Sequence, residues 1–282
     1  MTFTVAGSRI LITGAAMGMG RLYAERAVAE GAALVLLWDL NKDQLSETVS
    51  ELSASASSAQ KVVGTTIDIS DAKAVEKACA DVTKKHGGVD VIINNAGVVT
   101  GALFVDHEPE RGIDLTMRVN AIAPMLITRA FLPGMIAGGA DARIVNISSA
   151  SAFVSNPRMS VYAASKWAML GWSDTVRLEL EQMKVRNVKV LTVCPSYIST
   201  GMFAGAKGPL LMPIMKPGYV VWRVWTEMIR GKKNLLILPP MARISTLVKG
   251  ILPQGAYDWV ADKIFGVYHT MDQFTGRTSG GK

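Results

Sequence analysis

The 282-residue sequence predicts an α/β fold: a doubly wound parallel sheet of about seven strands, with helices on both faces. Three observations carry this. Short β-branched or leucine-rich runs recur along the chain, each pair is separated by enough residues for a helix, and the runs are nearly continuous in apolar residues rather than alternating. Continuous runs of that kind belong to parallel strands covered on both sides. Right-handed crossovers then bring the carboxyl ends of the strands to one edge, where open α/β sheets bind ligands.

The first run, "RILIT" (9–13), passes directly into "TGAAMGMGRLYAERAVAEGA", with Gly14, Gly18 and Gly20 ahead of an alanine-rich helical pattern. Glycines at a strand-to-helix turn let the backbone bend sharply and approach a pyrophosphate. The free N–H groups and positive dipole end of the helix favour that charge. The second run, "ALVLLW" (33–38), leads to Asp39, which lies about twenty residues beyond the last glycine. A carboxylate there accepts hydrogen bonds from an adenosine ribose 2′-hydroxyl and repels a 2′-phosphate. Positions 38 to 40 hold no basic residue, so NAD is favoured over NADP, with Lys42 the nearby cation that weighs against it. Asp39 alone would also suit a helix N-cap or a solvated loop end.

The middle runs are "KVVGTTID" (61–68), "VDVIIN" (89–94) and "ARIVNIS" (142–148). After them comes "SVYAASKWAML" (160–170), which sets Tyr162 and Lys166 four positions apart. A helix places such a pair on one face, roughly 6 Å apart along the axis. A tyrosine with an unperturbed pKa of about 10 is a poor base at neutral pH unless a neighbouring cation favours its phenolate. Lys166 is spaced to do that, although an isolated pair of this kind is more often a solvated surface.

The sixth run, "VKVLTVC" (188–194), precedes "PSYISTGMFAGAKGPLLMPIMKPG", which is too broken for a long helix and too apolar for a solvated linker. It reads as a lid over about 196–217. Met202, Phe203, Leu210, Leu211, Met212, Ile214 and Met215 would enclose an apolar molecule better than a sugar or phosphate, while packing of the lid onto the core explains each one equally well. A helix ("GYVVWRVWTEMIRG"), a last strand ("NLLILPP") and a helical tail over about 241–276 follow; "TGRTSGGK" has the composition of a frayed terminus. No repeat or second boundary is visible, so residues 1–282 read as one dinucleotide-binding and catalytic domain.

Composition bounds the function. With 49% hydrophobic and 19% charged residues the chain can bury a large core and is not disordered. Cys79 and Cys194 have no paired spacing, which fits a reducing, cytoplasmic setting. The start, "MTFTVAGSRILITGA", shows neither a leader nor an anchor, so secretion is not expected. No uninterrupted apolar run approaches the roughly 20 residues that span a bilayer. The formal charge of +7 reads as scattered and as a solubility feature, with weak peripheral attraction to anionic membranes as the minority reading and no nucleic-acid partner. His86, His107 and His269 lack metal-ligand spacing, so no metal is expected.

Four segments taken in order, "TGAAMGMG" (13–20), "NNAG" (94–97), "VNISSA" (145–150) and "YAASK" (162–166), resemble the classical short-chain dehydrogenases/reductases over essentially the whole chain. The resemblance implies a Rossmann-type fold and an NAD-linked hydride transfer. In that family pattern Tyr162 exchanges a proton with the substrate oxygen, and Lys166 supports it and binds the nicotinamide ribose. Ser149, thirteen residues before Tyr162, would hold the substrate oxygen, with Ser148 the runner-up because strand alternation lets either face the cleft. Asn120 in "MRVNAIAP" matches an asparagine that holds a proton-relay water, though such a residue also suits bonding to its own helix.

For the cofactor, the same resemblance implicates Met17 and Met19 in the glycine turn, together with Asp68 and Ile69 near the adenine. Asn95, Ala96 and Gly97 would lie along the adenine-ribose side, and Pro195, Ile198 and Thr200 near the carboxamide. Asp68 also suits a cap for the helix beginning near Asp71, and Asn95 a structural brace. Ser196 replaces the glycine that usually follows Pro195. The lid and tail look most like members related to epidermal retinal, retinol and 17β-hydroxysteroid dehydrogenases. This implies a hydrophobic alcohol and its aldehyde or ketone, of retinoid, steroid or aliphatic type. Those relatives carry an N-terminal membrane anchor that is not seen here, and family members are commonly homodimers or homotetramers. The competing readings are a noncatalytic dinucleotide-binding redox sensor or scaffold, and a peripheral enzyme with residues 241–282 against lipid.

Overall fold

The computed structural model describes residues 2–210 and 212–276; Leu211 and all but the first two residues of "TGRTSGGK" lie outside the described residues. Seven strands, β1 (Arg9–Thr13), β2 (Leu34–Asp39), β3 (Lys61–Thr66), β4 (Val91–Asn94), β5 (Ala142–Ile147), β6 (Val188–Pro195) and β7 (Leu235–Leu238), form one sheet in the order β3-β2-β1-β4-β5-β6-β7. Every pairing is parallel; Leu11, for example, lies between Leu36 of β2 and Ile92 of β4. The winding reverses between β1 and β4, which opens a crevice at their carboxyl ends.

The apolar runs are continuous because both faces are covered. Alternate residues Ile10, Ile12, Val35 and Leu37 join one core with α1 (Gly18–Ala29) and α7 (Pro217–Arg230), where Tyr23 stacks on Trp225 with ring centroids 6.4 Å apart. Leu11, Leu36, Ile92 and Ile144 join the opposite core with Val75 and Cys79 of α3 (Ala72–His86) and Ile127 and Phe131 of α5 (Ala123–Gly138). The exception is β3, where Lys61, Gly64 and Thr66 are exposed because the strand lies at the sheet edge. Side-chain caps begin two of the helices. Asn41 accepts from the Gln44 N–H at the start of α2 (Lys42–Ser55), and Asp71 accepts from Lys73 and Ala74 N–H at α3. Asp68 is therefore not the cap of α3; its carboxylate accepts from the Ser70 N–H and hydroxyl.

Residues Pro109–Gly138 form a helical stretch that is long and apolar enough to cross a bilayer by length and average composition. A search for uninterrupted apolar runs misses it, because Arg118 and Arg129 interrupt it. Its Ile127, Phe131 and Met135 are buried in the core packed on the sheet. Its first part is irregular, with π-helical turns at Pro109–Asp114 and Arg118–Ile122 on either side of the short α4 (Leu115–Met117). Such turns recur at functional sites.

Residues of the 196–217 segment line the cavity together with residues of the tail. The tail folds into α8 (Ala242–Ile251), α9 (Gln254–Trp259), a π turn at Val260–Ile264 and a 3₁₀ turn at Val267–His269. It is stitched to the lid by Leu210 N–H to Phe265 O (3.0 Å), Lys207 N–H to Thr270 O (2.9 Å) and Thr275 N–H to Ala204 O (3.0 Å). Two segments far apart in sequence thus make one cover.

Candidate active site

The glycine turn is built by three glycines with different jobs. Gly14 (φ +64°) and Gly18 (φ +57°) occupy the left-handed region, which glycine enters without a Cβ penalty. Gly20 is needed for space: a Cβ there would lie 1.9 Å from the Gly14 carbonyl oxygen. The N-cap of α1 is Met17, whose side chain makes no capping bond, so the first N–H groups of the helix face the crevice. Asn95 bolts this turn to the end of β4, donating from its amide to Thr13 O (3.0 Å) and Gly14 O (3.1 Å). Gly97 keeps the chain thin beside the reactive groups, since a Cβ would sit 3.3 Å from Asn120 Oδ1 and 3.6 Å from Lys166 Nζ.

At the outer end of the crevice the Asp39 carboxylate is held in place by the Ala16 N–H (2.9 Å) and the Asn41 N–H (2.9 Å). Asp39, Leu40, Asn41, Gln44, Asp68 and Ile69 line this end, and Lys42 is absent from the lining. Lys166 is the one cationic side chain among the described residues that line the whole cavity, which has a volume of about 1160 Å³. That is ample for a dinucleotide-sized ligand beside a second molecule.

At the inner end, α6 (Ser160–Gln182) carries Tyr162 and Lys166, both buried. The Lys166 ammonium donates to Ile147 O (2.9 Å) and lies 5.6 Å from the centre of the Tyr162 ring. Ser149 and Ser148 separate cleanly. The Ser149 side chain acts on the Tyr162 phenol, opposing the rise of its pKa, and its Oγ accepts from the Ser151 N–H (3.2 Å), whereas Ser148 turns into α6 and donates to Lys166 O (2.9 Å). Asn120 sits in the π turn with its Oδ1 accepting from Val98 N–H (2.8 Å) and its amide donating to Val98 O (2.8 Å) and Ser165 Oγ (3.0 Å). Its side chain therefore clamps the segment after β4 onto α6 and does not bond its own helix.

Beyond β6, Pro195, Ile198 and Thr200 border the cavity, and Thr200 lies beside the start of α1, 3.7 Å from where a Gly18 Cβ would be. Ser196 needs no glycine-like backbone, since it is not among the residues of positive φ, and its N–H bonds Leu238 O (2.7 Å). Met17 and Met19 also line the cavity.

Burial sets the electrostatics. It pushes the Tyr162 phenol above its ordinary pKa, opposed by the hydrogen bond with Ser149, and pulls the Lys166 ammonium down to about 8. Between about pH 8 and 10.5 the unfolded chain therefore binds more protons at Lys166 than the folded one, and the penalty of burying the charge fades as pH rises through that window. The protein without ligand should gain stability at Lys166 from pH 7 to 9.5. The Lys166→Met variant should show a flatter dependence, and parallel melting profiles of the two proteins would refute the assignment.

Several residues lay outside the sequence reading. A buried polar chain runs from Asn94 Nδ2 to Asn146 Oδ1 (2.7 Å) and from Asn146 Nδ2 to Ser173 Oγ (2.8 Å), tying β4 and β5 to α6 below the reactive pair. Polar residues inside apolar strand runs were the available signal. Over the cavity, Phe203, already named in the lid, makes T-shaped contacts with both Tyr162 (5.8 Å) and Tyr197 (5.2 Å), and Tyr197, which the sequence did not single out, is linked to Thr270 (2.8 Å) in the tail. Tyr257, Val260, Ala261 and Phe265 of the tail complete the wall.

A family model described as short chain dehydrogenase matches residues 8–208. Epidermal retinol dehydrogenase 2 of Mus musculus is 38% identical over 275 residues, 97% of this chain and 87% of its own length. Estradiol 17-beta-dehydrogenase 11 of Homo sapiens is 34% identical over 252 residues, covering 89% and 81%. Among solved structures, a short chain dehydrogenase/reductase from Burkholderia phymatum in complex with NAD superposes with a TM-score of 0.78 at 23% identity, covering 88% of this chain and 94% of that one. A metagenomic short-chain oxidoreductase in complex with NADP gives 0.68 at 26%, covering 84% and 97%.

Proposed function

The chain belongs to the short-chain dehydrogenase family, and on that premise we propose an NAD-dependent oxidoreductase that interconverts a hydrophobic alcohol with its ketone or aldehyde. The observation that carries this reading is the convergence of Ser149, Tyr162 and Lys166 at the foot of a largely apolar cavity that runs on to the glycine turn. The relatives named for retinol and estradiol support an alcohol of that kind. A noncatalytic sensor or scaffold would have no use for this constellation.

The glycine turn, the uncapped start of α1 and the thin strand at Gly97 suit a dinucleotide. Bound nicotinamide would supply the hydride acceptor or donor, and the protein's own groups would handle the oxygen. Ser149 holds it with a hydrogen bond, and Tyr162 takes the hydroxyl proton during oxidation or returns it during reduction. Lys166, protonated beside the phenol, favours the phenolate that this requires. Asn120 would position Lys166 and the strand at Val98, and its π turn is the place for a water that relays the proton onward. Phe203 and the tail residues keep bulk water from the reacting atoms.

The NAD preference rests on Asp39. A 2′-phosphate there would meet a fixed carboxylate and no lining cation. Asp39→Ser should lower kcat/KM for NAD and raise it for NADP, shifting the ratio between them on the order of 10- to 100-fold; an unchanged ratio would sink this reading. A screen of retinol, hydroxysteroids and medium-chain secondary alcohols with each cofactor tests the whole assignment, and turnover of none of them would count against it. Buried free Cys79 and Cys194 support a reducing, cytoplasmic setting. Exposed Ile122, Trp167 and Leu178 on and beside α6 support a homo-oligomer, which sedimentation would reveal.

A further inference from the structure

The basic residues, which read as scattered, are unevenly placed. Residues 196–257 contain eight Lys and Arg against one acid, Glu227, and so carry by themselves a charge of +7, equal to that of the whole chain. Glu227 is buried and paired with Lys233 (2.9 Å), away from the cavity cover. Segments 196–219 and 239–257 hold Lys207, Lys216, Arg243 and Lys249 and no acid, while the rest of the tail, 258–276, adds Lys263 and three acids, Asp258, Asp262 and Asp272; Asp262 pairs with Lys263 (2.9 Å) and Asp258 accepts from Gln254 and Tyr268.

The same segments expose apolar side chains. On α8, Leu247 and Ile251 lie four residues apart on one side of the helix and are 66% and 81% exposed, whereas Ala242 is buried. Leu210, Met241 and Ile244 are each about half exposed, yet they also line the cavity. Leu210, Met241 and Ile244 thus belong both to the cavity wall and to the outer surface, and Lys207, Lys216 and Arg243 stand on the same segments. A rim that merely closed over a water-borne substrate would gain nothing from exposing Leu247 and Ile251 outside the cavity.

We infer that this rim rests on an anionic lipid surface, with Leu247, Ile251 and their neighbours in the interface and Lys207, Lys216 and Arg243 against the headgroups, so that an apolar substrate passes from lipid directly into the cavity. This deepens the hydrophobic-substrate reading above and rests on it for the last clause alone. The attraction follows from apolar burial at the interface combined with cations held within a Debye length of anionic headgroups. A second copy of the chain would cover the same apolar rim only by bringing two sets of these cations together.

The test is flotation of the full chain with vesicles of phosphatidylcholine alone and of phosphatidylcholine with 30% phosphatidylserine, the composition being about that of a strongly anionic leaflet. The wild type should float with the anionic vesicles and largely dissociate at high salt. Lys207→Gln with Arg243→Gln should weaken partitioning by roughly fivefold for each cation removed, and Leu247→Ser with Ile251→Ser by at least about tenfold. None of these four residues touches the reacting groups, so turnover of a short water-soluble alcohol should persist and would report that the variants fold. Failure of the wild type to float, equal flotation with neutral vesicles, or insensitivity to both double variants would overturn the inference. So would an apolar-rim variant that changes the oligomeric state in sedimentation instead of flotation. Because flotation needs no turnover, its failure would leave the enzymatic reading intact, and the alcohol screen would decide that reading separately.

Discussion

Tyr162→Phe should lower kcat for alcohol oxidation by about 10²- to 10⁴-fold, the usual worth of a positioned acid or base, while leaving dinucleotide affinity within a few-fold. The phenol is buried, Ser149 opposes the rise of its pKa, and its ring centre lies 5.6 Å from the Lys166 ammonium. Removing the hydroxyl deletes one oxygen and leaves the ring packed edge-on against Phe203. The loss should therefore fall on the chemical step and spare folding and the glycine turn at the other end of the cavity. Ser149→Ala should act on the same step, and the two variants combined should cost far less than the product of the single losses, because both groups serve one oxygen. Dinucleotide-coupled turnover together with fluorescence titration of the reduced cofactor checks this. Retained turnover in Tyr162→Phe would remove the proton-transfer assignment.

Gly20→Ala should be the most damaging small substitution outside the reacting groups. Its Cβ would fall 1.9 Å from the Gly14 carbonyl oxygen and 2.8 Å from Asn95 Nδ2, and the first of these is backbone, which cannot swing aside. Relief requires α1 to move away from the end of β1, breaking the Asn95 clamp and displacing the N–H groups at the start of α1. A loss of about 2–3 kcal/mol in stability is expected from overpacking of this kind, together with loss of dinucleotide binding. Gly134→Ala in α5 is the control: nothing lies within 4 Å of the new methyl, and helix propensity favours alanine by about 1 kcal/mol. Chemical denaturation of both variants distinguishes a site-specific clash from a general intolerance of alanine. Equal stability of the two would show that the turn can open.

The strands were legible because their signal is local. All seven runs became strands; those covered on both faces are nearly continuous in apolar residues, and the edge strand β3 is the exception. The glycine turn and the Tyr162–Lys166 pair were legible for a similar reason: glycine at positive φ and i, i+4 spacing are properties of a few adjacent residues. What was not legible depended on which side a residue faces or on what lies across from it. Alternation left Ser148 and Ser149 open, and only the position of α6 turned Ser148 onto Lys166 O. Asp68 and Asp71 both suited a cap, and the chain path gave the cap to Asp71.

By itself, then, the sequence determined the parallel α/β sheet, the glycine turn and the spacing of the tyrosine-lysine pair, since each is encoded by side chains within one helix turn or one strand. Tertiary structure alone decided the cover of the cavity. Residues 196–217 and 241–276 meet through backbone bonds such as Leu210 N–H to Phe265 O, which leave no trace in side-chain pattern. It also decided which apolar residues stay outside. Burial depends on contacts between segments distant in sequence, and no local periodicity records them.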